Sequence, residues 1–237
     1  MASEYTRSQA GYPAVLADQA NEFLTQVYGW MCAGLGVTAV TAWLVAGSPT
    51  VVHALVTNRA LFWVLAIAQL GIVLVLSARV QQLAVSAAAV LFIGYSVITG
   101  TTMSFVLLAY TGTSVAATFV IAAGMFAALA FYGISTKRSL DGLGQFLFMG
   151  LIGVVLATIV GVFWQNSAVE FAVSLIGVLV FSGLTAYDAQ RLKTMALQSA
   201  YRGTTTTAVV GALSLYLDFA NLFLFLLRFT GDRRSDY

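Results

Sequence analysis

Two aspartates stand where an apolar chain does not readily hold them. Asp188 closes the stretch FSGLTAYDAQRLK (Phe181–Lys193), and thirty residues on Asp218 sits inside the run LSLYLDFANLFLFLLRF. A carboxylate at the centre of a membrane helix costs about 2.5–3.5 kcal/mol on insertion scales, so it faces a partner or water rather than lipid. Two carboxylates brought close repel, and the pair then holds one proton at mildly acidic or neutral pH. Such a pair can switch with pH, and it can bind a hard divalent cation such as Ca2+ through its oxygens. Two carboxyl groups on neighbouring helices can also work as general acid and base.

Other side chains can join them. At 100° per residue, Ser214, Asp218, Asn221 and Arg228 fall within an arc of about 80°, with Thr207 and Gly211 beside them. One polar stripe on a Leu/Phe helix faces protein or a water path, either as a hydrogen-bonded seam or as a conduit. Arg228 lies about 15 Å beyond Asp218 along such a helix, too far to neutralise it. Asp188, read as the C-terminal end of its span, is disfavoured there by the helix dipole and needs a cation. Arg79, at the end of another span on the same side, is the candidate; alone it reads as a snorkelling arginine. Tyr187 reads as packing or as a hydroxyl partner. Glu170 and Asp141 read as helix-start acids, and Arg191 and Lys193 as surface anchors.

What is missing narrows the chemistry further. His53 is the one histidine, which excludes multi-histidine metal sites and disfavours a serine–histidine hydrolase. No glycine-rich phosphate loop is present, so nucleotide-driven transport is not supported. Cys32 is the one cysteine and reads as a small apolar residue. The net charge of +2 gives no reason to expect nucleic acid as a partner. No cofactor is expected beyond the Ca2+ that the aspartate pair can take.

The elements that must position these residues are membrane helices. Of the 237 residues 60% are hydrophobic and 8% charged, against about 25% charged in an ordinary soluble domain. The apolar residues fall in runs long enough to cross a hydrocarbon core as helices. Seven spans are predicted, at 24–46, 60–78, 83–110, 114–132, 143–163, 168–188 and 208–229, with tilt or a bend near Gly100 in the long third one. Residues 1–23 read as a mostly exposed polar arm with a short interfacial helix, not as a signal peptide, and 230–237 as a short charged tail. Ala189–Thr207 reads as a hydrophilic connection whose threonines Thr204–Thr207 cap the last span.

Seven crossings put the termini on opposite sides. Arg7, Arg79, Lys137, Arg138, Arg191, Lys193 and Arg202 share one side, and Arg59, Arg228, Arg233 and Arg234 the other. Seven against four favours the N-terminus inside. The lipid bilayer is thus the first partner. Glycine, at 21 positions, suits close helix packing, and neither proline lies within a span.

The motifs GLTAYDAQRLK, LYLDFANLFLFLLR and FYGISTKRSLDGLG resemble the bacterial branch of the Bax inhibitor (transmembrane Bax inhibitor motif) family. NEFLTQVYGWMCAGLGVTA, GIVLVLSARV and FIGYSVITGTTMSFVLLAYT match it in order too, so the resemblance covers residues from about 20 to 230. It implies a seven-helix bundle with the seventh helix surrounded by the others, and a pH-dependent leak of calcium or other cations. It maps the family's paired aspartates onto Asp188 and Asp218, and the arginine that can lock them onto Arg79. A second family pair, glutamate with arginine, maps onto Gln69 and Arg228; the glutamine leaves a hydrogen bond in place of an ion pair.

Two other functions compete with the leak. The chain could bind and modulate a membrane-protein partner such as a membrane protease, as some family members do. It could also be a di-aspartyl intramembrane protease, which Tyr187-Asp188 resembles. The flanks of Asp218, Leu217 and Phe219, lack the glycine that such enzymes place there.

Overall fold

A computed structural model describes residues 2–79, 82–164, 166–199 and 205–234. Every element in it but one isolated bridge is helical: α1 (Ala2–Ala46), α2 (Pro49–Thr57), α3 (Arg59–Ala78), α4 (Val85–Ala109), α5 (Gly112–Ser135), α6 (Asp141–Phe163), α7 (Ser167–Ser199) and α8 (Thr205–Thr230). Local chemistry sets several of the boundaries. Pro49 opens α2 behind Ser48, where its missing N–H costs nothing. Asn58 caps α3 by accepting from the Leu61 amide, and Thr111 caps α5 by accepting from that of Ser114. Asn166 Oδ1 takes the Ala168 and Val169 amides at the start of α7. The capping expected of Thr204 lies outside the described residues.

Among the described residues six helices are long and apolar enough to cross a membrane: Asp18–Ala46 of α1, α4, α5, Asp141–Gly161 of α6, Ser167–Leu197 of α7 and Thr206–Thr230 of α8. The apolar part of α3, Trp63–Ala78, is shorter. Large side chains such as Trp43, Phe131 and Met149 are more than 70% exposed, which fits hydrocarbon as the solvent of the outer faces. The chain is an all-helical integral membrane protein.

Three expectations about the elements are corrected. Residues 2–23 are helical and run into α1 as one helix of 45 residues, longer than the short interfacial helix expected there. α4 runs unbroken through Gly100, whose lack of a side chain serves contact: a Cβ there would lie 2.6 Å from the Thr38 carbonyl oxygen of α1. Most consequentially, α7 does not stop at Asp188 but continues to Ser199. Asp188 is therefore interior to its helix, and the dipole argument for a cation partner loses its basis, because that effect fades within the last turn.

α8 is the buried centre. Of its apolar window 72% is buried, against at most 39% in the other five spans, and it packs on α1, α4, α5 and α7. α3 lies outside on α4, and α6 outside on α7. One end of the bundle carries the α3–α4 turn, the α5–α6 loop and the α7–α8 connection; here it is termed the near end. The far end carries the α4–α5 and α6–α7 turns and the tail. The tail is not free. Thr111 and Arg234 donate backbone hydrogen bonds to Asp232 and Ala109, and Arg233 pairs with Glu170.

Candidate functional site

The packing of α7 against α8 brings the two aspartates together. Asp218 is 5% exposed and Asp188 half-buried, and the two carboxyl groups are close enough to interact electrostatically. Two carboxylates both accept, so a hydrogen bond between them requires one proton. Asp218 Oδ2 is buried with no hydrogen-bond partner among the described residues. A buried polar atom left in that state is costly, which marks it for a proton, a water or an ion.

Asp188 opens on a cavity of about 300 Å3 at the near end, lined also by Ser77 of α3, Arg191, and Thr207 and Ser214 of α8. Asp218 does not line it, so Asp188 stands between the cavity and the buried carboxyl group. The cavity wall supplies three hydroxyl oxygens and the Asp188 carboxylate. Among the described residues no third acidic, histidine or cysteine side chain joins the pair. A hard divalent cation passing here would take carboxylate, hydroxyl and water oxygens, the ligand type it prefers.

The cation beside Asp188 is Arg191, three residues on in the same helix. Arg79, expected in that place, caps the end of α3 as an exposed residue and makes no ion pair among the described residues. Once α7 continues past Asp188, the i, i+3 spacing puts Arg191 on the same face. The rest of the motif holds α7 in place. Gln190 accepts from the Leu140 amide at 2.8 Å and donates to the Arg138 carbonyl at 2.8 Å, closing the α5–α6 loop. Lys193 Nζ donates to the Ile134 carbonyl in the last turn of α5. Tyr187 is half-buried with its ring packed against Gly144, where a Cβ would meet it at 2.4 Å. Gly133 of α5 meets the Ala186 backbone of α7 so closely that a Cβ would lie 2.1 Å from its carbonyl oxygen.

Along α8 the stripe divides. Ser214 faces the near-end cavity, whereas Asn221 spends its amide on the Leu217 carbonyl at 2.8 Å. Arg228 and Gln69 do not meet. The Gln69 amide donates to Thr102 at 3.3 Å and more weakly to Thr99 at 3.5 Å, both on α4, and the Arg228 guanidinium lies 5.6 Å from the Phe225 ring centroid. Arg228 is not bonded to Asp218, as its height on the helix requires.

A second buried polar cluster has no counterpart among the sequence expectations. Thr38 Oγ1 donates to the Ser96 carbonyl at 3.0 Å and therefore accepts from Tyr216, 2.6 Å away. Tyr216 is fully buried, edge-on to Phe92 and Tyr95. These groups tie α1 and α4 to α8 beside the aspartate level. A tyrosine two residues before an aspartate in a buried helix was the available signal, masked by the apolar residues around it.

The family model described as inhibitor of apoptosis-promoting Bax1 matches residues 20–235. An inner membrane protein of Escherichia coli K12, YbhL, is 50% identical over 215 residues, which are 90% of this chain and 92% of the relative. Uncharacterized proteins of Borreliella burgdorferi and Deinococcus radiodurans are each 39% identical. The matches cover 91% of this chain in both cases, and 94% and 93% of those relatives. Neither the family's description nor the names of these relatives state a catalytic activity.

Proposed function

The chain belongs to the Bax inhibitor family, and from that premise we propose that it is a pH-sensitive cation leak pathway of the bacterial inner membrane, gated by Asp188 and Asp218. In this reading α3 is the remaining crossing, giving seven around a central α8. Its 20 residues rise about 30 Å, enough to span. The observation that carries the proposal is the buried, unpartnered Oδ2 of Asp218 behind an Asp188 that reaches the near-end cavity.

The gate works through one shared proton. With it, a carboxyl–carboxylate hydrogen bond joins α7 to α8 and leaves a single negative charge beside Arg191. Without it, the second charge must be met by an entering cation or by separation of the helices, because two buried like charges repel strongly. Calcium is then cargo, drawn by the pair and the hydroxyls of Ser77, Thr207 and Ser214.

A protease reading finds less support. Phe219, next to Asp218, is buried edge-on to Phe119 and Phe126, which leaves an extended peptide no approach to that carboxyl group. The test is flux of calcium, potassium and protons into proteoliposomes at two pH values, with the wild type and the Asp188→Asn/Asp218→Asn double variant. The proposal expects wild-type flux that responds to pH and a pH-insensitive double variant. Absence of flux for all three ions would remove the leak reading.

A further inference from the structure

The far end holds a larger cavity, about 600 Å3, among the ends of α4, α6, α7 and α8 and the tail. It is remote from the aspartates, and the gate makes no use of it. Its charged groups are Arg228, Arg233 and Glu170. Glu170 is taken by Arg233, whose guanidinium also has Tyr110 beside it; first Tyr110 and then Glu170 hold it above its ordinary value. Arg228 lies over the Phe225 ring and has no carboxylate partner among the described residues. Among the described residues two guanidiniums against one carboxylate leave the cavity wall with one positive charge in excess.

The surroundings indicate what would answer it. Trp164 and Asn166 line the cavity beside the arginines, and Trp164 is 74% exposed, the placement of an interfacial tryptophan. Ile159, Val160 and Phe171 are exposed next to the rim, so the cavity borders an apolar, lipid-facing surface. The volume is that of a small-molecule pocket. A planar guanidinium favours the oxygens of a phosphate, and basic pockets between membrane helices suit anionic headgroups.

We propose that this far-end cavity binds the phosphodiester headgroup of an anionic membrane lipid, with Arg228 as its principal contact and its acyl chains lying along α6 and α7.

Native mass spectrometry of the full chain in neutral detergent tests this with phosphatidylglycerol and phosphatidylcholine of equal chain length. The ratio of the two affinities is the readout, since general loosening of the protein moves both lipids alike. Phosphatidylglycerol should bind about tenfold more tightly, and Arg228→Gln should remove most of that preference while Arg228→Lys retains part of it. Glu170→Gln should strengthen the preference by releasing Arg233. Equal affinities for the two lipids would overturn the proposal, as would a ratio unchanged in Arg228→Gln. Displacement of phosphatidylglycerol by millimolar inorganic phosphate would overturn the assignment to a lipid.

Discussion

Asp218 keeps one carboxyl oxygen buried and unbonded while its neighbour Asp188 touches a cavity and a cation, so the two residues carry unequal tasks. In the proposed gate Asp218 is the buried reservoir of charge, and Asp188 the group through which protons and ions would reach it. Arg191 sets the electrostatics of Asp188. Its replacement by glutamine removes a positive charge that favours ionisation, so the pH profile of flux should move to higher pH by about one unit. Arg79→Gln should move it less, because Arg191 lines the same cavity as Asp188 and Arg79 does not. Equal shifts from both variants would restore Arg79 to the cluster. The aspartates were legible because carboxylates in apolar runs are costly wherever the helices go. Arg191 was not, because its partnership exists only if the helix continues past Asp188, and the polar composition of Ala189–Ser199 reads as a connection.

Helix contacts decide whether those side chains meet at all. Gly133 lets α5 touch the α7 backbone at Ala186, two residues before Asp188. Gly133→Ala should destabilise the protein by about 1–3 kcal/mol, seen as a lower Tm in detergent, since backbone cannot yield as a side-chain end can. It should also disturb the pH response, because the turn of α7 that carries Asp188 is displaced. An unchanged Tm would mean that α5 and α7 are less closely packed than described. Gln69 acts at the same scale, joining α3 to α4 through Thr99 and Thr102. Gln69→Ala should cost about 1 kcal/mol and leave the pH profile in place. A changed profile would implicate Gln69 in the gate. Six of the seven expected spans were readable from apolar run length, as was the stop at Gly47–Pro49, while the expected 60–78 span falls on α3, whose apolar part is shorter. The pairing expected between Gln69 and Arg228 does not form, because the neighbours of a helix face are set by packing that periodicity does not contain.

For the whole molecule, the long helices alternate in direction around α8, and the basic residues gather at the near end. With that end and the N-terminus inside, as the charge bias favours, reporter fusions after Arg138 and after Asp232 should report opposite compartments. The same compartment for both would break the odd number of crossings. The central position of α8 follows from the family resemblance and from its polar stripe, but its tie to α1 and α4 through Tyr216 and Thr38 needed the fold. A regulatory role toward another membrane protein can coexist with a leak, and the lipid-facing surface of α6 would be open to such a partner. The claim on which the account depends is that one shared proton on Asp188 and Asp218 controls passage. Flux measured across a pH series in proteoliposomes of wild type, Asp188→Asn and Asp218→Asn tests it most directly. The account predicts a pH-dependent step in the wild type and a flat profile in Asp218→Asn, with the step lost or strongly displaced in Asp188→Asn. A step surviving unchanged in both single variants would show that the pair is a structural seam and that the gate lies elsewhere.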